Sequence, residues 1–171
     1  MTDLATVSAV ISAAGGLVAC VAAFRSAKHA KETFDAAQLS EKRLLLRQLS
    51  LTADAVIIEV DHIKWISVAL KVAYQTLFTF SGSSGHNSKQ DIYTKDIDIK
   101  MAEAEKLLIK AKPFATFQAS LLNGPLEEIS SREVSIAQCL TKAKAIRDRL
   151  DAEHQAIEAQ NQAHRERVFN K

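Results

Sequence analysis

The sequence predicts an all-α protein: a single N-terminal transmembrane helix continuing into an antiparallel three-helix bundle or coiled-coil body. Three observations predict this. The stretch from Leu4 to Phe24 carries no charge and is bracketed by Asp3 and Arg25. Beyond it, apolar residues recur at seven-residue intervals through two long segments. Helix breakers are few, with Gly at 15, 16, 82, 85 and 124 and Pro at 113 and 125, and they part the rest of the chain into three segments. The organisation expected is an anchor over 1–24, a juxtamembrane helical stalk over 25–48 and a helical bundle over 49–171, with a loop at 81–92 and a turn at 123–125.

The uncharged stretch is 21 residues long, which at about 1.5 Å per residue spans roughly 31 Å, close to the hydrocarbon thickness of a bilayer. It is only mildly apolar: seven Ala accompany four Val, two Leu, one Ile and one Phe. Small residues recur every fourth position at Ser8, Ser12, Gly16 and Cys20, with a parallel set at Ala5, Ala9 and Ala13. Such faces let two helix backbones approach closely in lipid, so a homo-oligomer through Ser8, Ser12, Gly16 and Cys20 is expected. A spanning helix has three rivals. A secretory signal needs a basic leader, where this chain has Met-Thr-Asp. Leu17-Val18-Ala19-Cys20 resembles a lipoprotein signal, but the apolar run continues past Cys20. An Ala-rich helix buried in a bundle is the third.

Orientation follows from flanking Lys and Arg. Arg25, Lys28 and Lys31 follow the anchor directly, and Lys42, Arg43 and Arg47 come later. The expectation is a single-pass protein of the inner (cytoplasmic) membrane with its N-terminus out and its body cytoplasmic. Membrane lipid is then a partner; the basic cluster favours anionic headgroups, but Glu32 and Asp35 dilute that effect and no lipid specificity is expected.

The body segments follow in order. The first, 25–80, opens with a thin seam of Ala27, Ala30, Phe34 and Ala37. A stronger one then follows, with Leu49, Val56, Ile63, Leu70 and Leu77 seven apart and Ala53, Val60, Ile66, Ala73, Tyr74 and Phe80 beside them. SGSSGHNSKQ, 81–90, has the composition of a solvated loop and lacks phosphate-loop spacing. The second segment, 93–122, places Ile97, Met101, Ala104, Leu108, Ala111 and Ala115 on one face. Pro113 should kink or break it. Asn123-Gly124-Pro125 should end it, with Gly124 as a left-handed cap. The third, 126–169, carries Ile129, Ile136, Ala143, Leu150 and Ile157 seven apart, joined by Cys139, Leu140 and Ile146. From these lengths the third helix should overshoot the loop by roughly a dozen residues, about 18 Å, leaving 158–171 for an unidentified protein partner.

Chemistry is sparse. Five His are scattered without an i, i+4 His pair, and Glu59-x-x-His62 lacks the second such motif that a di-iron bundle needs, so no metal and no cofactor is expected. Cys139 falls on an apolar face and reads as a buried thiol. Trp65, beside the seam, reads as core packing in preference to a partner contact. No catalytic residue is assigned, and a formal charge of +2 makes no case for nucleic acid. These features favour a membrane-anchored helical scaffold or adaptor acting through protein–protein interaction. An oligomerising membrane effector of pore-forming or defence type is one alternative, motivated by the weakly apolar anchor. In layout alone, anchor then helical body, the chain also resembles the inner-membrane spanins of phages. That resemblance implies an outward-facing envelope protein, against which the basic residues after the anchor stand.

Overall fold

The computed structural model describes residues 3–80 and 88–169, with side chains at 20, 22–80 and 89–167. Every described element is helical: α1 (Asp3–Phe80), α2 (Ser88–Ala111) and α3 (Leu126–Phe169), with short 3-10 turns at Lys112–Phe114 and Ala119–Asn123 between α2 and α3. The chain divides into two compact units, Met1–Leu44 and Leu45–Lys171.

The first unit is helix with no buried side chain among those described. Its side-chain bonds include the local Lys28–Glu32 pair and Thr33 to the carbonyl of His29. Among the described residues no helix is long and apolar enough to cross a membrane. The side chains of Ser8, Ser12 and Gly16 lie outside that set, while Cys20 is exposed.

The second unit is a three-helix bundle. On α1 the series Leu49, Val56, Ile63 and Leu70 is buried, as are Leu46, Ala53, Val60 and Tyr74, while Leu77 packs half-buried against them. Two adjacent heptad columns make a face broad enough to meet two helices. α2 contributes Ile97, Ala104, Leu107 and Ala111, and α3 contributes Ile129, Ile136, Ala143, Leu150 and Ile157. Lys71 pairs with Asp98, and Ser50 donates to the carbonyl of Ala115, so α2 runs antiparallel to α1. Glu59 meets Arg147 and Ala73 meets Asn161, so α3 runs parallel to α1.

Several boundaries differ from the sequence expectation. α2 begins at Ser88, inside the stretch read as loop, with Asp91 in its first turn facing the positive end of the helix dipole. It ends at Ala111 rather than near Leu122. Pro113 disfavours α geometry at the residue before it, and the chain passes into 3-10 turns. Gly124 is not a left-handed cap: its φ of −81° and ψ of 171° are extended, the conformation that a following proline selects. Nor does α3 overshoot. Asn161 is level with Ala73, so Phe169 ends about level with Phe80. The 3-10 turns rise about 2.0 Å per residue instead of 1.5, so the descending leg covers more length than an α-helix of its residue count.

Candidate functional site

Four places in the second unit bring side chains together in ways that bear on function. The first is a polar layer inside the bundle. Tyr74, Lys100 and Glu153 occupy seam positions that are apolar one turn away. The Tyr74 hydroxyl donates to Glu153 Oε1 at 2.6 Å, and Lys100 Nζ reaches Glu153 Oε2 at 3.3 Å. Lys100, itself buried, also pairs with Asp96 four residues back on α2. Burial raises the Tyr74 phenol above its ordinary pKa, and the hydrogen bond to Glu153 and its charge push the same way. Tyr93 stacks on Tyr74 with ring centroids 4.6 Å apart. A buried cation, a shared carboxylate and a neutral phenol satisfy one another, so the layer ties all three helices at one level. One helical turn or more away, Asn161 is fully buried and donates from Nδ2 to the Ala73 carbonyl at 3.0 Å, while its Oδ1 accepts nothing among the described residues.

Arg147 makes the second tie. Its Nη1 donates to both Glu59 oxygens, at 2.8 and 2.6 Å. Its bond to Asp148 first, and the charges of Glu59 and Asp148 with it, raise its pKa; partial burial acts in the opposite sense. Glu59 is therefore committed to an inter-helix pair and does not stand with His62 as a ligand set. Among the described residues no group of three His, Cys, Asp or Glu could hold a metal.

An open groove of about 460 Å³ lies between α2 and α3, where Lys106, Lys110 and Lys142 rim Leu107 and Ile146 beside Glu103. Three ammonium groups over an apolar floor attract acidic groups, although Glu103 offsets part of that charge.

The fourth place is the outer side of α1. Leu51, Ile58, Trp65 and Val72 are 57–68% exposed. They stand seven apart, on the side of α1 turned away from Leu49, Val56, Ile63 and Leu70, and Val68 lies exposed beside Trp65. Trp65, mostly exposed, is thus not core packing; among the described residues its ring contact is His62, 6.0 Å away and tilted. The sequence signal was present, because this second heptad series can be counted as readily as the first. Its members fall one and two residues from the stronger seam, and the broader apolar face masks them.

The remaining sequence-derived positions separate as follows. Ile129, Ile136 and Leu150 lie in the core with the α1 seam. Arg25, Lys28 and Lys31 are exposed on the first unit. Cys139 is buried. Within the 158–171 segment, Asn161 is buried against α1. Compared with known proteins, the chain matches no family model, no curated protein and no solved structure.

Proposed function

We propose that the chain is a single-pass, membrane-anchored helical scaffold or adaptor that acts through protein–protein contact and not through catalysis. The observation that carries the contact reading is the exposed apolar series on α1. Soluble proteins seldom leave an ordered row of large apolar side chains in water unless something covers it. The anchor reading is supported by the uncharged run from Leu4 to Phe24 and by Arg25, Lys28 and Lys31 directly after it. In this reading the protein sits in the inner (cytoplasmic) membrane with its N-terminus out and the bundle in the cytoplasm. Lipid headgroups meet the basic cluster, and Ser8, Ser12, Gly16 and Cys20 join copies within the bilayer.

A reporter active only in the cytoplasm, fused after Lys171, tests the reading. A signal that sediments with membranes supports it. A signal in the soluble fraction removes the anchor, and an outside signal brings forward the outward-facing, spanin-like layout. The small residues of the anchor also favour a second reading, an oligomerising membrane effector. That reading requires overexpression to be toxic and Gly16→Leu to relieve the toxicity.

A further inference from the structure

α1 carries two heptad seams, and the bundle uses one. Leu49, Val56, Ile63 and Leu70 face α2 and α3. Leu51, Ile58, Trp65 and Val72 repeat the same period on the other side and stay 57–68% exposed. A seven-residue apolar repeat sustained over several turns marks a helix that supercoils against another helix, because that period keeps one narrow seam facing its partner. Scattered exposed apolar residues carry no such implication. The second seam therefore calls for a second helix. Within the described chain α2 and α3 are both committed to the core, so that helix comes from elsewhere.

We propose that it is α1 of a second copy of this chain, docked helix to helix, parallel and in register. Three features select that occupant. The seam is self-complementary: a repeating row of large apolar residues meets itself across a two-fold axis, as an isologous dimer requires. Its neighbours toward one flank, four residues after Leu51 and Trp65, are Ala55 and Ala69, which leave room for two backbones to approach and for Trp65 to pack over the partner helix. The area also suffices. A buried aliphatic side chain contributes roughly 100 Å² and a Trp roughly 150–250 Å². Leu51, Ile58, Val72 and the adjacent exposed Val68 with Trp65 thus bring roughly 600 Å² from each copy, and the stems of flanking Arg47 and Gln48 extend this toward the ~800 Å² per partner of a stable complex. Trp is moreover the residue type that most often dominates such contacts. The parallel sense rests on the anchor reading, since two chains held in one membrane emerge on the same side. The pairing itself does not.

The test uses the full-length chain expressed in cells, in a Cys20→Ala background that leaves buried Cys139 in place. Leu51→Cys and Val72→Cys, each alone, should form disulfide-linked dimers in the membrane fraction under mild oxidation. Lys144→Cys, exposed on α3, should not. Adding Trp65→Lys should abolish the linked dimer while leaving the bundle's thermal midpoint unchanged, because that side chain is outside the core. Linkage no stronger than at Lys144→Cys overturns the proposal, as does linkage that survives Trp65→Lys. Product formed only when the two cysteine variants are mixed overturns the parallel arrangement, and product of mass fitting a different polypeptide overturns the second copy as occupant. The membrane pellet of the same samples reads the anchor independently. Linked dimer in the soluble fraction would remove the anchor and keep the docking, whereas unlinked chain in the pellet would do the reverse.

Discussion

Replacing Asn161 by Leu should stabilise the bundle. The side chain is fully buried and has two polar atoms with different fates. Nδ2 donates to the Ala73 carbonyl at 3.0 Å, an oxygen that also lies within the hydrogen-bonded ladder of α1. Losing that bond costs about 0.5–1.5 kcal/mol. Oδ1 accepts nothing among the described residues, and a buried acceptor left in that condition costs about 1–3 kcal/mol. Leu shares the branching of Asn at Cγ and removes both polar atoms; the apolar burial it adds beside Ile157 and the strain of its larger volume roughly offset each other. The balance favours Leu by about 1 kcal/mol. With a urea slope of ~2 kcal/mol per molar, that is a rise of about 0.5 M in the unfolding midpoint at unchanged slope, read from the helical circular-dichroism signal. Asn161→Ala removes the same unsatisfied Oδ1 but leaves a void, so its midpoint should fall below that of the Leu variant. If the Leu variant is instead less stable than the parent, the reasoning about Oδ1 is wrong and Asn161 is a net stabiliser of the α1–α3 contact.

Two further outcomes follow from the inter-helix ties. Arg147→Met keeps the side-chain stem but leaves Glu59, whose side chain is 13% exposed, without its bidentate partner. The expected loss is about 1–2 kcal/mol, between the values for surface and for fully buried pairs. Adding Glu59→Gln should recover much of it, which a double-mutant cycle by urea unfolding would show. The Tyr74 phenol is raised above its ordinary value near 10 in the folded chain, chiefly by burial and then by Glu153. The folded state thus holds a proton that the unfolded state gives up, so its contribution is complete below about pH 10 and is lost as pH climbs toward the folded value. Alkaline unfolding followed by circular dichroism should therefore show stability declining above pH 10 in the parent, with a shallower decline in Tyr74→Phe.

Much of the bundle was legible because helices announce themselves by period. Leu49, Val56, Ile63 and Leu70 can be picked out by counting sevens, and so can Ile129, Ile136 and Leu150; all are buried. Pro113 and Pro125 mark breaks because proline lacks an amide proton and restrains the residue before it. The candidate surface was harder to read. Trp65 belongs to an apolar series that the stronger seam beside it obscures, and a single tryptophan next to a core stripe is easily assigned to the core. The polar layer was invisible for a different reason. Tyr74, Lys100 and Glu153 lie far apart in the chain, and only the helix register brings their charged and hydroxyl groups within bonding distance.

By itself, the sequence determined the all-helical class, the breaks between α2 and α3, and the presence of apolar seams, because propensity, proline sterics and residue period act over a few neighbouring positions. Tertiary structure decided which of the two α1 seams turns inward. Both repeat every seven residues, but the inner one is backed by a second apolar column and can bury against two helices at once, whereas the outer one is a single column flanked by Arg47, Asp54 and Asp61. It also decided the level of α3 against α1, which depends on how far the 3-10 turns carry the chain and on where Asn161 and Arg147 find their partners. Those are distances between segments remote in sequence, and no local pattern encodes them.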